Sequence, residues 1–319
     1  MVAAPGEERT ILLTGATGFV GGAVRPALHA AGWHVRGLTR DAARAARQAP
    51  GLDWVEGDVA DREAMSRALQ GADAALYLVH GIREGAGYHE REVAAAASFA
   101  ATAAQAGVQR IVYLGGVAPT GPGSEHLRSR VDVGQTLRAG TVPTIELRAS
   151  MIVGHGSLSW LIVRDLAARL PVMILPRWLR SRTEPVAIDD VVVALVRALD
   201  LPIEANTWFD LPGPEILSGK EFLDRTAVLM GLGAPLAIDV PFLSPRLSSL
   251  WIRMVTRADW SVAREVVIGL TEDLLARNDD FWSRIDHPQR VGFDEAARRA
   301  LAAERASPPA RGFWALVER

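Results

Sequence analysis

The chain has 319 residues, 49% of them hydrophobic, enough to bury one large core or two modest ones and so to carry a nucleotide-binding unit with a smaller appendage. Its formal net charge of −2, without runs of like charge, gives no general attraction for nucleic acid or an anionic membrane. The absence of cysteine excludes disulfides, thiolate nucleophiles and cysteine-ligated zinc, and fits the reducing cytoplasm.

The opening MVAAPGEERT carries acids and no apolar core, and no run of about 18 uncharged apolar residues is present, so neither a signal peptide nor a transmembrane helix is expected. Residues 10–14 (TILLT) read as a buried strand, followed by GATGFVGG and a helix to about His29. A strand over 33–40, a helix over 41–48, a short strand near 54–56, the turn GDVAD, a helix over 61–70 and the apolar strand 75–81 come next. Residues 88–106 have helical composition and stop at Gly107. The strand 110–116 leads through APTGPG into a helix from Ser124, the expected N-cap, to Gly140, and a sixth strand spans 143–149. Strands alternating with helices of this length predict an α/β fold: a doubly wound parallel sheet of Rossmann type with right-handed crossovers.

Beyond Ser150 the rhythm changes. A helix over about 158–169, the apolar PVMILP and the basic loop RWLRSRTEP precede PVAIDDVVVALVRALD, a strand entering a helix at Asp189 or Asp190; NTWFDLPG reads as one more strand. From Gly213 the pattern is mainly helical, over 218–230, 244–256, 259–277 and 293–305. The expected division places residues 1–157 and 183–212 in the nucleotide-binding domain, with 158–182 and 213–319 as an interleaved, mainly helical cap.

Gly15, Gly18 and Gly21 form GxxGxxG directly after a strand and at the opening of a helix. That spacing supplies a tight turn, close approach of backbone to a pyrophosphate and close helix-to-sheet packing, with the helix N-terminus facing the anion. Dinucleotide contacts are expected from Thr14, Gly15, Thr17, Gly18, Phe19, Val20 and Gly21. The second strand ends at Thr39-Arg40, where an acid would bond a ribose 2′-hydroxyl and an arginine would accept a 2′-phosphate. Arg40, with Thr39 or Arg44 beside it, favours NADP(H) over NAD(H), although Asp41 follows at once.

Together TGATGFVGG, GDVAD, YLVHG, YLGGVAP, ELRASMIVGHGS, PRWLRSRTEPVAIDDV and LPGPEILS resemble the short-chain dehydrogenase/reductase superfamily, and more narrowly its atypical NmrA-like branch, which is similar to an accessory subunit of respiratory complex I. The resemblance covers about residues 10–230. It implies that Asp58 and Val59 sit beside the adenine, that Val79, His80 and Gly81 line the cofactor, and that Ala149 to Val153 approach the nicotinamide.

Carbonyl-reducing members of the superfamily use a serine at the end of the fifth strand and a Tyr-x-x-x-Lys pair on the next helix. Here those positions read Gly115-Gly116 and His126 with Arg130, and the sole lysine, Lys220, stands four residues after Ile216; Tyr77, Tyr88 and Tyr113 have no lysine four residues on. At positions i and i+4, Arg130 can lie beside His126 and on the cofactor ribose. The guanidinium and the positive helix end both disfavour imidazolium, leaving a neutral histidine that can donate a hydrogen bond but is a weak acid; a solvated pair capping the helix is the alternative. Arg148, Arg180 and Arg182 could bind an anionic substrate group, or cover the sheet edge with their stems. Tyr88, a further candidate substrate contact, and His89 begin a helix near the cleft. No histidine cluster has metal-ligand spacing. The apolar segment 242–256 is expected to roof a greasy pocket; a peripheral membrane contact is the other use for it. The reading is an NADP(H)-binding oxidoreductase, monomeric or homodimeric, acting without tyrosine on a small hydrophobic carbonyl or enone. Its rival is a noncatalytic dinucleotide sensor or assembly factor. An epimerase or dehydratase is disfavoured, because such enzymes also rely on the missing tyrosine.

Overall fold

The structure, a computed structural model, describes residues 9–80, 87–121, 123–169, 172–175, 177–233, 236–239 and 272–306. Seven parallel strands form one sheet: β1 (Arg9–Leu13), β2 (Trp33–Thr39), β3 (Asp53–Glu56), β4 (Ala74–Tyr77), β5 (Arg110–Gly116), β6 (Thr144–Ala149) and an edge strand, Thr207–Asp210. From one edge to the other the order is the Thr207 strand, β6, β5, β4, β1, β2, β3. The order reverses beside β1, so helices wind in opposite senses from that point and a crevice opens at the carboxyl ends of β1 and β4. This is the doubly wound, Rossmann-type sheet that the alternation of strands and helices predicts.

Side chains alternate across each strand, and the core divides accordingly. Ile11 and Leu13 pack on one face against Val24 and Leu28 of α1 (Phe19–Ala30) and against Val191, Ala194 and Leu195 of a helix spanning Ile188–Asp200. Leu12 and Ala75 face the other way, onto Met65 and Leu69 of a helix spanning Arg62–Leu69, Phe99 of another spanning Tyr88–Gln105, and Val133 and Leu137 of a third spanning Glu125–Arg138. Between α1 and Arg62 lies α2 (Ala42–Gln48); the Arg62, Tyr88 and Glu125 helices are α3, α4 and α5. Local chemistry fixes their starts. The Asp61 carboxylate accepts the Glu63 amide at 2.9 Å, and Ser124 Oγ accepts the Leu127 amide at 3.2 Å, the cap expected from the sequence.

After β6 a second core gathers Met151, Trp160, Ile162 and Leu166 with Leu179, Phe222, Leu223 and Phe293. It joins α6 (Leu158–Arg169), the helix Gly219–Leu229, which is α8 with α7 being Ile188–Asp200, and the helix Phe293–Ala306. Short strand pairs brace it, Ile152–Val153 with Val186–Ala187 and Arg182–Thr183 with Leu217–Ser218.

The expected helix over 244–256 and most of that over 259–277 lie outside the described residues. The described end of the latter, 272–277, is not helical. Its polar groups are claimed by distant segments. Glu272 accepts the amides of Gly121 at 2.7 Å and Gly123 at 3.3 Å. Asp273 takes the Arg182 amide at 2.7 Å, and Leu274 donates to the Arg182 carbonyl at 2.8 Å. Ala276 donates to the Glu184 carboxylate and Arg277 to Asp210 at 2.7 Å. Five tertiary carboxylate or carbonyl anchors outweigh a local helical preference of a few tenths of a kcal/mol per residue, which is about its usual size.

Candidate functional site: the cleft at the carboxyl ends of the strands

A cavity of about 1050 Å³ runs over the carboxyl ends of the strands, lined by the glycine loop, the end of β2, the ends of β4 and β5, the start of α5, and the facing sides of α6 and α8. At its first end the backbone itself is the binding surface. Gly15 has φ +69°, and a Cβ there would stand 3.0 Å from the Leu78 carbonyl oxygen. A Cβ on Gly21 would lie 2.2 Å from the Gly15 oxygen. Only glycine lets α1 start this close to β1. The N-cap of α1 is Gly18, no side chain caps the helix, and its first turn holds no acid, so the amides there point into the cavity's end with the positive pole of the helix behind them. Such a cradle fits a pyrophosphate.

Of the expected loop contacts, Gly15, Thr17, Gly18, Phe19, Val20 and Gly21 line the cavity. Thr14 does not. It is fully buried, its hydroxyl donating to the Leu76 carbonyl at 3.2 Å and accepting the Leu78 amide at 3.0 Å, and so it stitches β1 to β4.

At the end of β2, Thr39, Arg40, Asp41 and Arg44 line the cavity. The guanidinium groups of Arg40 and Arg44 are exposed and have no partner among the described residues. Asp41 is occupied as the N-cap of α2, accepting the Arg44 amide at 2.8 Å, and Glu56 takes the Ala42 amide at 3.0 Å. The acids here serve the helix start, while the cations are available. Asp58 and Val59 line the next stretch of wall, and the Asp58 carboxylate holds the Ala60 amide at 2.9 Å. Val79 and His80 line it from β4; Gly81 lies outside the described residues.

The centre of the cleft explains the missing serine. A Cβ on Gly115 would stand 2.9 Å from a Glu146 carboxylate oxygen and 3.0 Å from the Tyr113 ring, and one on Gly116 would stand 3.2 Å from Arg130 Nε. The space that a serine would need at Gly115 is taken by a buried carboxylate. Glu146 is fully buried between Arg138 (2.8 Å) and Arg148 (2.9 Å), a triad in which each guanidinium satisfies the carboxylate through charge-assisted bonds. Arg148, expected as a substrate contact, is instead buried in this triad with its guanidinium over the Trp208 ring at 4.2 Å, and does not line the cavity.

His126 and Arg130 both line the cavity, one turn apart on α5. Arg130 Nη2 donates to the Leu114 carbonyl at 2.6 Å, and its own carbonyl accepts the Tyr113 hydroxyl at 3.1 Å. The His126 ring meets the His80 ring edge-on with centroids 5.8 Å apart. Burial first, then Arg130, then His80, push the His126 pKa down to about 2, so the imidazole is neutral throughout the working range and acts as a hydrogen-bond donor or acceptor. The tyrosines offer no substitute acid: burial raises Tyr77 and Tyr113 far above the ordinary phenol range, and Tyr88 is buried at the head of α4 away from the lining. Lys220, on α8, pairs with Asp224 and does not line the cavity.

Arg182 reaches the cavity but is clamped by Asp273, with Nη2 at 2.8 Å. Arg180 is exposed and outside the lining, and His89 bonds Asp132 at 2.8 Å. Among the described residues no group of three metal-ligating side chains converges, and no helix is long and apolar enough to cross a membrane. Sequence reasoning missed Glu92, which lines the cavity and accepts from the buried Ser129 hydroxyl, and missed the apolar wall of α6 and α8. Helical spacing on α6 was the available signal for that wall.

The NmrA-like family model matches residues 7–150. A (4-alkanoyl-5-oxo-2,5-dihydrofuran-3-yl)methyl phosphate reductase of Streptomyces griseus is 32% identical over 240 residues, covering 72% of this chain and 76% of that protein. A ceramide reductase of Caulobacter vibrioides is 28% identical over 264 residues, covering 70% and 82%. Among solved structures, the triphenylmethane reductase of a Citrobacter species in complex with NADP(H) superposes with a TM-score of 0.69 at 17% identity, over 91% of this chain and 99% of that one, a likeness of fold. The family model over residues 7–150 and a reductase relative at 32% identity, aligned over 76% of its length, establish that this chain belongs to the NmrA-like family.

Proposed function

We propose that the chain is an NADP(H)-dependent reductase of a hydrophobic carbonyl or enone that works without a tyrosine acid. The observation that carries this reading is one continuous cleft joining three things: an uncapped helix start beside Arg40 and Arg44, which have no partner among the described residues, the His126 and Arg130 pair, and an apolar far wall. The two related reductases and the NADP(H) complex of the structural neighbour support the class of reaction and cofactor.

The loop Gly15 to Gly21 would hold the pyrophosphate, Arg40 and Arg44 the 2′-phosphate, and Asp58 and Val59 the adenine side. When bound, the reduced nicotinamide supplies a hydride. The chain's own part is to receive the charge that then develops on the substrate oxygen. Neutral His126 donates one N–H, and Arg130, fixed by Leu114, adds a permanent positive charge; donors held in place by the fold stabilise such an oxygen without reorganisation. With His126 neutral and the tyrosines held in their phenol form, no side chain at the centre transfers a proton readily, so water completes the reaction. This favours conjugated enones, because an enolate is much less basic than an alkoxide and is adequately stabilised by hydrogen bonds.

The test is NADPH oxidation against hydrophobic ketones, quinones and enones, repeated with His126→Ala and Arg130→Ala. A loss of kcat with cofactor affinity unchanged is the expected outcome, and unaltered rates in both variants would remove the pair from the mechanism. Tight NADPH binding with no turnover on any substrate would favour a dinucleotide sensor, the second reading that the depressed acidity at the centre of the cleft leaves open.

A further inference from the structure

The far end of the cleft has a shape and chemistry of its own. In the sheet β6 stands three strands from β1, about 14 Å at the usual strand spacing, and the cleft continues past β6 to α6 and α8. There Leu158, Ile162 and Leu166 recur at four-residue spacing along α6 and line the cavity. From Leu158 to Leu166 the strip runs over nine residues, about 12 Å at helical rise, room for a chain of on the order of eight to ten carbons. Opposite lie Leu179, Phe222 and Leu223, 7%, 3% and 2% exposed. A wall this apolar and this shielded from water suits methylenes rather than a sugar or a phosphate.

The charged groups beside it are already used. Arg182 is clamped by Asp273, and Glu272 is bonded to the Gly121 and Gly123 amides. The polar lining side chains nearest in sequence to this wall, Ser157, Ser159 and Ser181, are hydroxyls. Six aliphatic and aromatic faces with one phenyl ring among them make a trough for a flexible chain; stacking a flat ring would need more aromatic surface.

We propose that this end of the cleft receives an unbranched alkyl chain, making the substrate an amphiphile whose reducible head lies at His126 and Arg130 and whose tail lies between α6 and α8. The proposal rests on the reductase reading for the head, while the trough stands on its own lining.

The experiment uses a homologous series of 2-alkyl enones carrying one head group and tails from about four to about fourteen carbons, with each added methylene expected to strengthen binding about fourfold until the trough is full. Each compound is measured twice on the full chain, by kcat/KM for NADPH oxidation and by calorimetric binding in the presence of NADP+. Binding that climbs with tail length and then levels supports the trough. If this happens with no turnover, the reductase reading falls and the trough remains. Turnover independent of tail length overturns the trough and leaves the reductase reading intact; neither turnover nor binding overturns both. Leu223→Trp should move the levelling point to shorter tails, and Ile162→Ala, which opens space and keeps the proposal testable if the larger residue prevents folding, should move it to longer ones. An unchanged levelling point in a folded variant refutes the assignment.

Discussion

Replacing Arg40 by alanine tests the cofactor assignment at its most exposed point. The side chain extends from the end of β2 with no partner among the described residues, so its loss should alter stability by no more than about 0.5 kcal/mol, as at other unconstrained surface sites. What it removes is a charge-assisted bond to a 2′-phosphate. Such bonds contribute about 1.5–3 kcal/mol net, and the solvent around Arg40 places this one in the lower half of that range. A loss of about 1.5–2 kcal/mol corresponds to a roughly 10- to 30-fold rise in Kd for NADPH. NADH lacks the phosphate, so its Kd should change less than about twofold. Arg44, one turn along and also exposed, retains part of the attraction, and Arg40→Ala/Arg44→Ala together should bring the two affinities close to each other. Tryptophan-fluorescence quenching or calorimetry reads both constants. Equal weakening of NADH and NADPH, or no weakening of either, would refute the reasoning.

His126 yields two pH predictions. Because its imidazole is neutral down to about pH 2, kcat/KM should show no limb near the ordinary histidine value of 6.5; a limb there that disappears in His126→Gln would contradict the donor role. For stability, the folded pKa lies below the unfolded one, so the unfolded chain binds the extra proton. The contribution is intact above about pH 6.5 and is lost as pH falls toward about 2, at up to about 1.4 kcal/mol per unit. His126→Gln should therefore flatten the fall in Tm between about pH 7 and about pH 5, and an equal fall in both proteins would count against it. Serine at the two glycines that end β5 should behave asymmetrically. Gly115→Ser meets the rigid Glu146 carboxylate and should cost about 1–3 kcal/mol, the usual price of overpacking. Gly116→Ser meets Arg130 Nε at 3.2 Å, a looser contact than the one at Gly115, and should lose less stability. Thermal denaturation with equal losses at both positions would show that Glu146 does not occupy the serine site.

The glycine loop, the sheet and the α5 pair were legible because each is a short-range pattern: a spacing that the backbone itself requires, an alternation, an i and i+4 pair. Arg148 was misread because a strand arginine near a cleft looks available. The clue was Glu146 two residues earlier, on the same face of β6, where an ion pair forms within the strand. Thr14 was misread for a similar reason, since its hydroxyl bonds a strand some sixty residues away. Residues 272–277 looked helical because local composition carries no record of the carboxylates at Glu184 and Asp210 that hold their amides.

The strap formed by those residues gives the cleft a built-in reporter. Its anchors come from the β5–α5 loop, the Arg182–Glu184 segment and the edge strand ending at Asp210, so no single one of these units can hold it alone. Slow deuterium uptake at the Leu274, Ala276 and Arg277 amides would register the assembled edge of the molecule, and quick uptake there, with β1 and β5 still protected, would mark a state in which the sheet has formed but the part of the cleft wall carrying Glu272 and Leu274 has not.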